Sequence, residues 1–496
     1  MSVKIAMSRK AMLCACLATI VVPTTIAAGE IASALLREND EVLPGETVSA
    51  LNNTAVNHVG GYACTLNTVG TGTISRMWGN PSGGAGLLLR SEQTIGNLVQ
   101  TSFESFFGMS DGGLLAYSAI SDEIGGTTGL DGAWLDSVVV LNEEDPVPSL
   151  PGQYSSFNSR VGVSGGGTIV WVGGITNTPG TTTQNRCLFS GPGATVLIKG
   201  GDFLTGIADP VKTASGGVDF DFRVSRFDTY WIDLISVDSA TTEDGVMVIN
   251  GEPITAGGGM MREGQPVPAA LGGLPNELWG NFDFLGINEA GDFFITGDTN
   301  ADVGLDEFVS KNGAIVLREG DALALGGSSV TISGAIEGGY MNQQGDWAVT
   351  WDVDDDAAVN FEALIFNGEI VLAEGDLVDW NGDGVIDAAD NNAVLTDFTG
   401  ISALTVGSRV SGLVKIYFTA DVDAGAPAVE EGFFCLEVQA DSCPWDCGDG
   451  NGDVGVVDFL AMLAQWGQPG ATCDFDNDGV SVVDFLALLA NWGPCP

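Results

Sequence analysis

The stretch EFVSKNGAIVLREGDA, residues 307–322, contains the unit from which most of the chain is built. Two alternating apolar segments flank Asn312-Gly313, the strongest short-range signal for a two-residue hairpin turn. The second segment ends in a small acidic turn, Glu319-Gly320-Asp321. At an offset of 55 the same arrangement returns as EALIFNGEIVLAEGDL (362–377), and GVMVINGEPI (245–254) carries the Asn-Gly turn again. The strand with its acidic turn recurs as ALLREND (34–40), LLLRSEQ (87–93), VVLNEED (139–145), VLIKGGD (196–202), MMREGQP (260–266), VLREGDA (316–322) and VLAEGDL (371–377). Aligned at residues 38, 91, 143, 200, 263, 319 and 374, the seven copies step by 53, 52, 57, 63, 56 and 55 residues.

A second element, a Gly turn followed by an aromatic and β-branched strand, also recurs seven times. Its copies are VGGYACTL (59–66), DGGLLAYSA (111–119), GGGTIVWV (165–172), FDTYWIDLI (227–235), EAGDFFITG (289–297), QQGDWAVTW (343–351) and SGLVKIYFTA (411–420). The copy at 227 is the weakest, because it lacks the Gly turn. The period is too long for a β-helix and fits a four-stranded propeller blade with its loops.

The phase of the repeat adds a second argument. The chain enters near residue 31 with an acidic-turn strand alone, and GFFCLEV (432–438) has no such strand after it. The first strand therefore supplies the missing last one, which closes a ring and removes an open edge. The expectation is an all-β, seven-bladed β-propeller over 29–440, closed by its N-terminal strand. A string of β-sandwiches and a linear β-array are the alternatives.

Composition agrees. Gly accounts for 71 of 496 residues, as many tight turns require, and 45% of residues are apolar, as a folded chain requires. Asp and Glu number 65 against 17 Lys and Arg, a net charge of −48, which argues against nucleic acid and anionic membranes as partners. At the N-terminus, Lys4, Arg9 and Lys10 precede an apolar run, Ala11 to Val22, and a small-residue site around Ala27. This pattern predicts a signal peptide over 1–28, and hence an exported protein, extracellular or at a cell surface, with no transmembrane helix in the mature chain.

The sharpest local motif is DWNGDGVIDAAD, residues 379–390. Asp379, Asn381, Asp383, the Val385 carbonyl, Asp387 and Asp390 stand at positions 1, 3, 5, 7, 9 and 12 of an EF-hand-like loop, with Gly384 at the sharp turn. A hard cation takes six to eight oxygens, and this spacing converges them, so calcium is the expected cofactor. Asp replaces Glu at position 12, and Asn391 follows where a helix would start apolar. The loop falls between the last acidic turn and the last blade.

The tail repeats within itself. VVDFLAMLAQWG (456–467) matches VVDFLALLANWG (482–493) at an offset of 26, each copy following an acidic segment. These duplicated halves, with Asp-Phe-Leu helix starts and Trp-Gly ends, resemble a type I dockerin in its Cys-bounded bacterial version, over 441–496. The resemblance implies a small α-helical module with calcium in each loop that docks to a cohesin-like or other cell-surface partner. The candidate ligands are Asp449, Asn451, Asp453 and Asp458 in the first half and Asp474, Asp476, Asp478 and Asp484 in the second. Their fit is incomplete: from Asp449 as position 1, Asp458 comes two residues early, and the register that suits Asp458 puts Cys447 at position 1. Asp484 comes one residue early. Cys443, Cys447, Cys473 and Cys495 of an exported module read as disulfides, with three pairings open.

No catalytic motif stands out. His58 is the only histidine, and no nucleophile motif accompanies it. The expected function is therefore an exported, surface-associated, non-catalytic binding or display protein, stabilised by calcium, whose ligand is a polysaccharide or another extracellular molecule. A secreted polysaccharide-active enzyme and a structural envelope protein are the alternatives.

Overall fold

The computed structural model describes residues 31–496 except 71–73, 82–83, 124–128, 149, 177–184, 214–216, 219–221, 356–358, 400–402, 411, 426–428, 441–444, 449–452, 469–472, 474–478 and 495–496. The expected signal peptide lies outside the described residues. Seven small antiparallel sheets stand in a ring, forming a seven-bladed β-propeller. Their innermost strands are Glu46–Val56, Leu98–Met109, Gln153–Val163, Arg223–Val224, Trp279–Ile287, Ser328–Met341 and, in blade seven, Val394–Phe398 with Thr405–Val406. Each inner strand lies against the inner strand of the next blade, and the first meets the last.

The ring closes as the repeat phase requires. The first strand, Ala32–Arg37, is the outer strand of blade seven and pairs antiparallel with Glu430–Gln439, Ala32 opposite Leu436 and Arg37 opposite Gly432. Blade seven thus joins the two ends of the propeller sequence.

The recurring turns have a common backbone requirement. In the acidic turns the residue after the alignment position has positive φ in all seven copies: Asn39, Glu92, Glu144, Gly201, Gly264, Gly320 and Gly375. Gly, or Asn with its short polar side chain, fits this left-handed conformation at least cost. Where Asp follows, its carboxylate accepts the amide three residues back: Asp40 from Arg37, Asp145 from Asn142, Asp202 from Lys199, Asp321 from Arg318 and Asp376 from Ala373. The Asn-Gly hairpins at 250, 312 and 367 have both turn residues at positive φ, the type I′ geometry that matches strand twist. In the copy at 227, Asp228 takes the left-handed place (φ 63°) that Gly fills in the other six.

Blade four departs from the expected pattern. MMREGQP does not form one strand: Gly259–Met260 pairs with Thr255–Ala256, and Arg262 makes a single bridge to Val246. Pro253 has no amide to extend the outer strand, and Gly257-Gly258, both at positive φ, turn the chain back.

The blades pack through large side chains at repeat spacing. Trp134, Trp171, Trp279 and Trp351 are wholly buried, Trp231 and Trp347 are buried, and Trp78 is half-buried. The tryptophan series is therefore mainly core, not a sugar-stacking face. The tail contains two helices, α1 (Val456–Ala464) and α2 (Val482–Ala490), around a small core of Met462, Cys473, Val480 and Leu488.

Closure makes a direct prediction. A chain beginning at Glu38 loses the closing strand and exposes the edge of Glu430–Gln439. Its melting temperature should fall by about 10 °C or more, with concentration-dependent self-association through that edge. Unchanged melting in calorimetry would contradict the closure.

Candidate functional site

The loop 379–390 is built around two carboxylates. Asp379 and Asp390 are fully buried, and no basic side chain pairs with either among the described residues. Asp379 accepts amides from Gly382, Asp383 and Gly384 at 2.8, 3.2 and 2.6 Å. Asp390 accepts from Asn381 at 3.0 Å and Asp387 at 2.7 Å. Amides alone compensate two buried charges poorly, and a cation on the remaining lone pairs would complete the balance. Asn381, Asp383 and Asp387 are exposed beside them, each also accepting an amide two residues ahead. One 3-10 turn, Ala388–Asp390, follows with Asn391 left-handed, so no long helix leaves the loop. These residue types are the ones a calcium loop uses, but among the described residues the only three carboxylates with oxygens gathered within 4.8 Å of one another lie elsewhere, at Glu362, Glu374 and Asp397.

The loop is stitched to the closing strand. Asp379 N donates to Ala32 O at 3.0 Å, and Ala34 N donates to Asp379 O at 2.9 Å. Arg37 lies 5.6 Å from the Trp380 ring centroid and donates to the Trp380 carbonyl. Gly382 is required here, because a Cβ would lie 2.4 Å from Ala34 O. The closing strand is therefore held on one edge by blade seven and on the other by this loop.

In the tail, Asp458 and Asp484 are buried. Asp458 accepts from Gly455 N at 2.7 Å and Asp484 from Ser481 N at 2.8 Å, the contact that Asp390 makes with Asp387 N. The shared contact is a capping box at the helix start, and it agrees with the register that puts Cys447 at position 1. Cys447 is joined to Cys473, 26 residues on, so the disulfide links equivalent positions of the two halves. Asp449, Asn451, Asp474, Asp476 and Asp478 lie outside the described residues, as do Cys443 and Cys495. Asp453 is described only as backbone, in the strand Asp453–Val454.

The structure adds a feature that the motif search missed. In the last three blades, three adjacent strands each place one carboxylate on the same rung. Asp352 is opposite Glu362, and Glu374 N donates to Glu362 O. Asp421 is opposite Glu431, and Glu38 N donates to Glu431 O. In blade five the corresponding rung is Asp298, Glu307 and Glu319, and Glu319 N donates to Glu307 O. In blade one it is neutral, Asn67, Ser75 and Ser91. Burial, then Asp283 and the other nearby carboxylates, pushes Glu307 up to about 8. Burial, with Asp397 and Glu337 close by, pushes Glu362 up to about 8. Glu362, Glu374 and Asp397 each bring an oxygen within 4.8 Å of the others, near enough for one cation to touch all three. The 12-residue spacing of Glu307 to Glu319 and Glu362 to Glu374, visible in the aligned repeats, was the available signal.

On the opposite face, the turns between the first two strands of different blades are braced together. His58 Nδ1 lies 2.9 Å from Asp111 Oδ1, and Arg226 Nε donates to Asp111 Oδ2 at 2.7 Å. Burial would raise Asp111, but the bonds from Arg226 and His58 outweigh it and hold it low. His58 is lowered by burial, which outweighs Asp111. Further round, Ser225 donates to Glu289, Glu289 N to Gln343, and Arg409 pairs with Asp346. His58 is thus an interblade brace.

No protein-family description matches this sequence, and no curated protein matches it. Among solved structures it is similar to prolyl oligopeptidase B from Galerina marginata at 11% identity, over 80% of this chain and 51% of that one, with a TM-score of 0.35. The chain spans about half the length of that protein. It is also similar to a subtype N11 neuraminidase-like protein of A/flat-faced bat/Peru/033/2010 (H18N11), at 10% identity over 83% of this chain and 98% of that one, with a TM-score of 0.31. PorZ of Porphyromonas gingivalis, described as a surface component of the type-IX secretion system, matches at 12% identity over 78% and 57%, with a TM-score of 0.31.

The rungs predict a pH dependence. Glu307 and Glu362 have folded values near 8, above the ordinary 4.5, so the folded state binds more protons than the unfolded state between those values. Stability contributed by their protonated forms is complete below about pH 4.5 and is lost as pH rises towards 8. In chelator, the melting temperature should fall across this window. E307Q/E362Q should flatten the fall by a few degrees; an unchanged slope would refute the coupling.

Proposed function

We propose that this chain is an exported, non-catalytic binding or display propeller, carried at a cell surface or on a scaffold by its C-terminal module and stabilised by calcium. The observation that supports docking is the outer face of the two tail helices. Val456, Val457, Leu460, Leu463 and Trp466 of the first half, and Val482, Val483, Leu486, Leu489 and Trp492 of the second, are each 45–63% exposed. Phe459 and Met462, like Phe485 and Leu488, turn inward instead. A small module that keeps its best apolar residues outside, at equivalent places in both halves, is shaped for a partner. The resemblance to a type I dockerin makes that partner cohesin-like.

Calcium acts on the propeller in this reading. At a hundredfold excess over its dissociation constant, an ion bound only by the folded state adds about 2.7 kcal/mol. In the tail, the Cys447–Cys473 disulfide stands where a first ligand would be, so thiol chemistry shares the stabilising role there. The half-buried His58, committed to Asp111, supports a non-catalytic reading of the turn face.

Two measurements test this. L460D/L486D should release the protein from the envelope of the producing cells into the medium while leaving propeller melting unchanged. Undiminished retention would refute docking through the tail. Calcium should raise the melting temperature of the wild type, and D379N/D390N should remove most of that increment; an equal increment in the variant would place the ion elsewhere.

A further inference from the structure

The inner strands enclose a cavity of about 130 Å3 on the ring axis, with residues from all seven blades in its wall. Strand register defines one level of this wall: Ala55, Gly108, Gly162, Arg223, Gly286, Tyr340 and Thr405. Five of the seven are small. A Cβ at Gly108 would lie 2.8 Å from Val163 N, so glycine there lets neighbouring strands approach closely. Arg223 and Tyr340 are the two long side chains at this level, and they meet, the guanidinium carbon 6.0 Å from the ring centroid.

The charge at this level is opposite to that of the chain. The protein has 65 acidic residues, yet no Asp or Glu is among the described residues of the cavity wall. Arg37, Arg76, Arg90, Arg226, Arg318 and Arg409 each pair with a carboxylate. Arg223 pairs with none among the described residues. Its Nη1 donates to Phe222 O at 2.9 Å, and Nε and Nη2 have no acceptor among the described residues. A half-buried guanidinium with unused donors, braced by an aromatic ring, is preorganised for a carboxylate. The volume suits one six-membered ring.

We propose that the axial cavity binds a single-ring carboxylate of hexuronate size, with Arg223 taking the carboxylate and Tyr340 fixing the guanidinium. The net charge of −48 disfavours an extended polyanion and leaves one anionic residue as the ligand. The inference rests on the binding-propeller half of the proposed function and not on the tail, so loss of docking would leave its test unaffected.

The test is calorimetric titration of the full chain with D-glucuronate, D-glucose and glucose 6-sulfate, for the wild type and R223Q. Glucuronate should bind at least about tenfold tighter than glucose to the wild type, and R223Q should abolish the difference. Equal binding of glucose, absence of glucuronate binding, or an unaltered R223Q would overturn the proposal, and preference for the sulfate ester would overturn the carboxylate assignment. If R223Q fails to fold, modification of wild-type Arg223 by phenylglyoxal, followed by peptide mass spectrometry, replaces it. Glucuronate should slow that modification severalfold where glucose does not; equal rates would overturn the proposal.

Discussion

The pairing of Ala32–Arg37 with Glu430–Gln439 is the constraint on which the rest depends. Without it blade seven lacks its outer strand and the ring has an open edge. Each ladder hydrogen bond adds only about 0.5–1.5 kcal/mol net, so a short strand is a weak clasp by itself. The loop 379–390 compensates by bonding its other edge through Ala32 and Ala34. One short segment is thus held between the last blade and the loop 379–390, so an ion bound at that loop would act on ring closure.

Much of this was legible in the sequence because the turns impose local chemistry. A left-handed residue is needed in every acidic turn, and Gly or Asn stands there in five of the seven copies, so the repeat can be seen. The strand order and closure followed from the phase of the copies. What escaped notice depends on register across strands. Asp352, Glu362 and Glu374 are separated by other residues, and only pairing places them on one rung. Arg223 and Tyr340 are 117 positions apart and share a level only because both face the axis from corresponding places in blades four and six. In the tail, spacing left two registers open, and the hydrogen bond from Gly455 to Asp458 agrees with the one that puts Cys447 first.

Charge is distributed with a pattern that composition conceals. In blade one, Glu46 is matched by Arg76 and Arg90, and its rung is neutral. Blades five to seven stack three carboxylates per rung, with Glu307 and Glu362 pushed up to about 8 by burial and by the carboxylates around each. The two ends of the repeat array therefore differ electrostatically while sharing one backbone plan. The acidic rungs and the basic axial level are both departures from sevenfold equivalence, and departures of this kind distinguish one blade from the next.

The place where the tail leaves the propeller has a mechanical consequence. Ala440 continues directly from Glu430–Gln439, a strand bonded on one side to Leu413–Asp423 and on the other to Ala32–Arg37. In a molecule tethered by its tail, tension enters along the axis of that strand. The ladder bonds lie across this axis, so both rows bear load together in shear and do not open one at a time. Drag on a disc so tethered would be carried by the blade that also closes the ring.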